Sequence, residues 1–219
     1  MQRGRGMKPF LVVYASRSGH TRRLAEGISD RIRTLGHEVQ TQDVRTEALP
    51  HLERYAGVVL AASVHLGHHE REMVKFVRSR RSELNGLPTV FFSVSLTEAA
   101  AEDVHRPDQE RVDARRAVSK ILGDFVLETG WRPQKAVPIA GSVTDGGHGP
   151  LTRFLLRAVA RQTLLDDVIR EVTFTDRAAL NREVDQLVRA GVARSRSNPS
   201  ETVEPPPFRS AVEGAVLAP

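Results

Sequence analysis

Cysteine is absent from this 219-residue chain. That single absence excludes disulfides, thiol catalysis, iron–sulfur clusters and thiolate zinc sites, and it is compatible with a reducing cytoplasm. Long apolar runs are missing as well. Residues 58–62, among the longest, fall far short of the roughly 20 residues that cross a bilayer. Residues 1–8 are basic, but the apolar stretch at 10–15 is only strand-length and runs into Ser-Arg-Ser-Gly, so no signal peptide is expected. Met7 offers a second start, which makes residues 1–6 an N-terminal extension. Aromatic residues are scarce, 5% of the chain, and sit mostly in apolar runs. Stacking on bases therefore has little to work with, and no nucleic-acid partner is expected. Neither the Walker loop nor the dinucleotide fingerprint occurs, because their glycine and lysine spacing is missing.

What remains is an ordinary globular composition with a basic excess. Hydrophobic residues at 40% over this length suit one well-buried domain. Thirty-two basic side chains against 27 acidic ones leave +5, a balance that favours anionic partners. Strand-like and helix-like stretches alternate, the pattern of an α/β fold with a parallel sheet. Strands are expected at residues 10–15, 37–44, 57–64, 89–96 and 135–143. Helices are expected at about 70–84 and 107–128 and from 176, with a short helix or loop at 50–55. Five strands with their crossovers fit a doubly wound sheet whose ligand lies at the carboxyl ends of the strands, where the loops are 16–21, 63–69 and 93–104. Beyond Ala190 the chain turns to Arg, Ser and Pro, and residues 191–219 read as a disordered tail.

The most informative segment is residues 10–28, FLVVYASRSGHTRRLAEGI. An apolar strand leads into a hydroxyl-rich turn, then into an amphipathic helix with Leu24, Ile28, Ile32 and Leu35 at helical spacing and Gly36 as its stop. Ser16, Ser18 and Thr21 supply three hydroxyls, and Gly19 lets the backbone approach a ligand. The free N–H groups and positive dipole end of the helix converge on the same spot, so a phosphate is stabilised there without a lysine. Two readings compete with this one. The run from Ala15 to Gly19 grazes the nucleophile elbow of hydrolases, but the first glycine of G-x-S-x-G is missing. Alternatively the hydroxyls merely cap the helix, which needs one of them rather than three.

Ser16-Arg17-Ser18-Gly19-His20-Thr21 resembles the FMN-phosphate signature [ST]-x-[ST]-G-x-T of flavodoxins. Ala62-Ser63-Val64-His65-Leu66-Gly67-His68, Phe92-Ser93-Val94-Ser95-Leu96, Trp131-Arg132-Pro133 and Thr173-Phe174-Thr175-Asp176 resemble the flavodoxin-type, quinone-linked protoporphyrinogen oxidases. The likeness spans about residues 7–190. It implies a flavodoxin-like sheet of order 2-1-3-4-5 with helices on both faces, FMN as cofactor, and oxidation of protoporphyrinogen IX to protoporphyrin IX in heme biosynthesis. A respiratory quinone accepts the electrons in that family, whose members associate with the membrane from the cytoplasmic side. Carried over by position, Ser16, Arg17, Ser18, Gly19, His20 and Thr21 would hold the phosphate. Ser63, Val64, His65, Leu66 and Gly67 would flank one side of the flavin ring, and Ser93, Val94, Ser95 and Leu96 the other, with His65 the catalytic candidate. His65 stands where the family often has an arginine, Leu66 where it often has an aromatic, and residues 97–103 are acidic where it carries basic residues.

His65, His68 and His69 have a spacing at which imidazoles can converge on a metal, but nothing else in the chain clearly supplies a third or fourth ligand, so no metal is expected. Residues 148–170 sit where the family adds a membrane-facing segment. There Arg153, Arg157 and Arg161 form a basic stripe beside an apolar face, a helix suited to an anionic bilayer surface or to packing with a solvated side. Two other functions stay open: a flavodoxin-type electron carrier, against which the basic charge argues, and a flavodoxin-like interaction module without flavin.

Overall fold

The computed structural model describes residues 7–46, 51–141 and 177–197. β1 (Phe10–Ala15) turns into α1 (His20–Thr34), which is followed by β2 (Val39–Asp43) and a 3₁₀ turn (Leu52–Arg54). β3 (Val58–His65) doubles back as β4 (His68–His69) and leads to α2 (Arg71–Ser79) and α3 (Arg81–Asn85). Then come β5 (Thr89–Ser95), α4 (Leu96–Glu102), α5 (Asp108–Thr129), β6 (Ala136–Ala140) and α6 (Arg177–Ser197).

Period-two alternation explains how the sheet is covered on both faces. In β1, Leu11, Val13 and Ala15 enter one core with Leu60 and Ala62 of β3, Met73 and Val77 of α2, and Phe125 of α5. Phe10 and Val12 enter the other with Leu24, Ile28 and Ile32 of α1 and Leu180, Val184 and Leu187 of α6. The strands pair in parallel in the order β2-β1-β3-β5-β6, and β4 attaches to β3 alone. Counting the parallel strands only, this is the expected 2-1-3-4-5 order. The chain leaves β1 in one direction and returns to its other side as β3, so a crevice opens between their carboxyl ends.

Local differences from the sequence reading have identifiable causes. His68 and His69 do not begin the helix that follows. Leu66 and Gly67 have φ of 51° and 82°, the two positive values of a type I′ turn, so the chain reverses and His68 pairs with His65. The helix expected over 70–84 breaks at Arg80, whose φ of −107° leaves the helical range. The loop expected at 93–104 is largely α4, because the Ser95 hydroxyl accepts the Glu98 N–H at 3.0 Å and caps an alanine-rich turn. The tail expected from residue 191 does not start there: α6 continues to Ser197, with Val192 packed on the core and Gly191 set against Phe10. Residues 1–6, the segment 148–170 with Arg153, Arg157 and Arg161, the run from Thr173 to Asp176, and residues 198–219 lie outside the described residues.

Candidate functional site

Strand register brings the three loops together. Ala15 aligns with Ala62, Ala62 with Ser93, and Ser63 with Val94, so residues after 15, 63 and 95 leave the sheet side by side. Ser63 Oγ also reaches the Ala15 carbonyl at 3.4 Å.

The first loop is built as a cradle. Gly19 adopts φ 82° as the residue before α1, and its N–H donates to Ser16 Oγ at 3.0 Å. No side chain caps the helix from the N-cap position and its first turn carries no acid, so its dipole meets no carboxylate there. The Ser16 hydroxyl thus serves the turn before the helix, and no side chain caps α1 at Gly19 itself. Ser16 is buried; Arg17 and Ser18 are exposed. Thr21 is 1% exposed, and its hydroxyl has no hydrogen-bond partner among the described residues. A buried hydroxyl without a partner is costly, and here it lies in the first turn of the helix. His20 is buried next to it, and burial, with Arg23 nearby, lowers its pKa and favours the neutral ring.

The second loop is the β3–β4 hairpin. Val64 and His65 are half-buried, whereas Leu66 is 70% exposed at the tip with Gly67 and His68. The three histidines diverge instead of converging. His65 Nε2 lies 3.1 Å from Glu70 Oε1, His68 faces solvent, and His69 is buried with Nε2 2.9 Å from Ser93 Oγ. Burial lowers the His65 pKa, opposed by Glu70 and assisted by Arg17. The His69 ring sits 4.7 Å from Phe125 and 5.2 Å from Phe91, and that apolar setting pulls its pKa to about 4, so it is neutral. Among the described residues no group of three His, Asp or Glu side chains is placed to hold a metal.

The third loop starts from the buried Ser93, Val94 and Ser95 and presents Leu96, half-exposed, at the head of α4. The Ser95 carbonyl accepts the Gly141 N–H at 2.8 Å, which ties β6 to this strand end. In that first turn burial, with Glu102 four residues on, raises the pKa of Glu98. Leu66 and Leu96 thus leave two exposed apolar side chains on neighbouring strand ends above a polar cradle.

The family profile described as flavodoxin domain matches residues 11–167, more than half of the chain. The chain belongs to the flavodoxin domain family. Protoporphyrinogen IX dehydrogenase (quinone) of Escherichia coli is 28% identical to it over 167 residues, covering 76% of this chain and 87% of that protein. The Leishmania major protein of the same name is 26% identical over 202 residues, covering 90% and 81%. Among solved structures, a short-chain flavodoxin associated with a non-canonical PDU bacterial microcompartment superposes with TM-score 0.49 at 14% identity, over 84% of this chain and 99% of the other. A Fusobacterium nucleatum flavodoxin variant bound to flavin mononucleotide superposes with TM-score 0.43 at 14% identity, over 87% and 99%.

Within this flavodoxin domain one site residue escaped the sequence reading. Glu70, 3% exposed, contacts Arg17 of the cradle and both Ser63 and His65 of the hairpin strand. An acid directly before a helix is an ordinary sequence feature, and its 53-residue separation from Arg17 leaves no local trace.

Proposed function

We propose that this flavodoxin domain is an FMN-dependent oxidoreductase that converts protoporphyrinogen IX to protoporphyrin IX and passes the electrons to a quinone. The observation that carries the cofactor is the cradle: a helix start with no side-chain cap at Gly19 and a buried Thr21 hydroxyl lacking a partner among the described residues. Space is also available, since a Cβ built on Gly19 or Gly67 would meet nothing within 4 Å. These groups suit a dianionic phosphate. Ser16, Arg17, Ser18, Gly19, His20 and Thr21 would hold it, while Ser63, Val64, His65, Leu66 and Gly67 on one side and Ser93, Val94, Ser95 and Leu96 on the other would bound the ring. Bound FMN would supply two-electron redox chemistry, leaving the protein to bind, orient and shield it. Leu66 and Leu96 offer apolar contact in place of aromatic stacking. The names of the Escherichia coli and Leishmania major relatives support the substrate and the acceptor.

The test is an absorbance spectrum after reconstitution with FMN, then anaerobic turnover of protoporphyrinogen IX with a menaquinone analogue. Flavin bands and porphyrin fluorescence are the expected result. Absence of bound flavin sinks the cofactor reading and favours the interaction module that the two leucines keep open. Flavin without porphyrin removes the substrate alone and leaves the electron carrier. We extend the reading to the cell as a cytoplasmic protein that docks peripherally on the membrane through Arg153, Arg157 and Arg161. Co-sedimentation with anionic but not neutral vesicles, lost on Arg→Glu exchange at the three positions, is the outcome that supports it.

A further inference from the structure

Three side chains from two other segments of the chain meet at Glu70. Arg17 Nε lies 2.8 Å from its Oε1 and 3.0 Å from its Oε2. Ser63 Oγ donates to Oε1 at 3.3 Å, and His65 Nε2 stands 3.1 Å from the same oxygen, within ion-pair distance but outside hydrogen-bond geometry. The backbone is equally held: the Glu70 N–H donates to the Ser63 carbonyl at 3.2 Å, and its carbonyl accepts the Val74 N–H at 3.1 Å in the first turn of α2. A carboxylate only 3% exposed is tolerated when it is paired and hydrogen-bonded. The start of α2 adds a favourable dipole.

The partners differ from Glu70 in exposure. Arg17 is 60% exposed and His65 39%, so the acid is the anchored end and the cation and imidazole are the accessible ends. A guanidinium that spends Nε on a carboxylate keeps four N–H donors on its two Nη atoms. Those of Arg17 meet no acceptor among the described residues. Arg17 lies inside the cradle sequence and His65 at the base of the hairpin tip, so one charge sets both.

We propose that Glu70 is a positioning residue whose single buried carboxylate holds Arg17 toward the phosphate cradle and His65 beside the ring-binding hairpin, coupling the two halves of the site. This inference rests on the FMN reading above. Other charged or titratable groups nearby are His68, paired across the hairpin with His65, and Arg45 with Glu72, which share the field of Glu70.

Riboflavin, which lacks the phosphate, separates the two halves when its binding is compared with that of FMN by fluorescence titration. Arg17→Gln is expected to weaken FMN about tenfold, one charge-assisted hydrogen bond's worth, and to spare riboflavin. His65→Gln weakens both ligands equally. Glu70→Gln, similar in shape but neutral, weakens riboflavin as His65→Gln does and FMN by the product of the two single effects. A Glu70→Gln variant that alters only one half, or neither, overturns the proposal. The second readout needs no flavin: the His65 titration followed by NMR in the apoprotein. Glu70→Gln moves it down and Arg17→Gln moves it up, shifts that mere loss of packing would not produce with opposite sign. A His65 titration unmoved by either change overturns the network whatever the flavin result, whereas a wild-type protein that binds no flavin sinks only the cofactor reading. Should Glu70→Gln fail to fold, the Arg17→Gln titration decides alone.

Discussion

At the scale of single residues, Thr21 and His69 make opposite kinds of statement. Thr21 keeps a buried hydroxyl without a partner among the described residues, which costs stability in the ligand-free protein. Thr21→Val should raise apoprotein stability by about 1 kcal/mol and weaken FMN binding about tenfold, read by urea melts and flavin fluorescence. A loss of apoprotein stability would mean that the hydroxyl serves the fold. His69 has a pKa lowered from 6.5 to about 4 by burial. Between those values the unfolded chain takes up a proton that the native ring refuses, so stability falls as pH drops through 6.5 and the loss levels off below 4. His69→Gln removes this titration. Relative to the variant, the wild type should lose about 3 kcal/mol from pH 7 to pH 4 in urea midpoints. The hydroxyl cluster was legible because its residues are contiguous. The His69–Ser93 contact was not, because the pairing of β3 with β5 creates it.

At the scale of elements, the sequence pattern located every parallel strand among the described residues, since buried strands advertise themselves as apolar runs. It missed β4, which is two residues long and defined by a turn that no Asn-Gly announces. Leu66 pays for that turn with φ 51°. Leu66→Asn should therefore stabilise the hairpin by about 1 kcal/mol. If Leu66 contacts the flavin ring, the same change should weaken flavin binding, and measuring both separates strain from function. The end of α6 was misjudged for a related reason: Arg- and Ser-rich sequence looks like tail, but Gly191 gives the helix close approach to the sheet. A Cβ there would stand 2.7 Å from Phe10 Cε1 and 3.0 Å from the Ala56 carbonyl. Although alanine favours a helix, Gly191→Ala should destabilise by about 1–3 kcal/mol in denaturant melts, with partial relief from Phe10→Leu.

At the scale of the whole molecule, two apolar layers clamp one sheet, and buried Ser16, Thr21, Ser63, Glu70, Ser93 and Ser95 lie at or just beyond its carboxyl end. The α/β class with its parallel sheet followed from alternation, and the flavodoxin-like strand order from the resemblance. The site's outline followed from knowing which strand ends the topology gathers, whereas its internal wiring through Glu70 required the tertiary structure. The length of β3 has a kinetic consequence. Residues 58–62 pair with strands on both sides, but Val64 and His65 pair only with β4. Opening that overhang disturbs little of either core, so its amides should exchange with deuterium by local opening while residues 58–62 wait for global unfolding. In mass-spectrometric exchange, a peptide covering 64–70 should label far faster than one covering 58–62, and FMN should slow the first and leave the second unchanged.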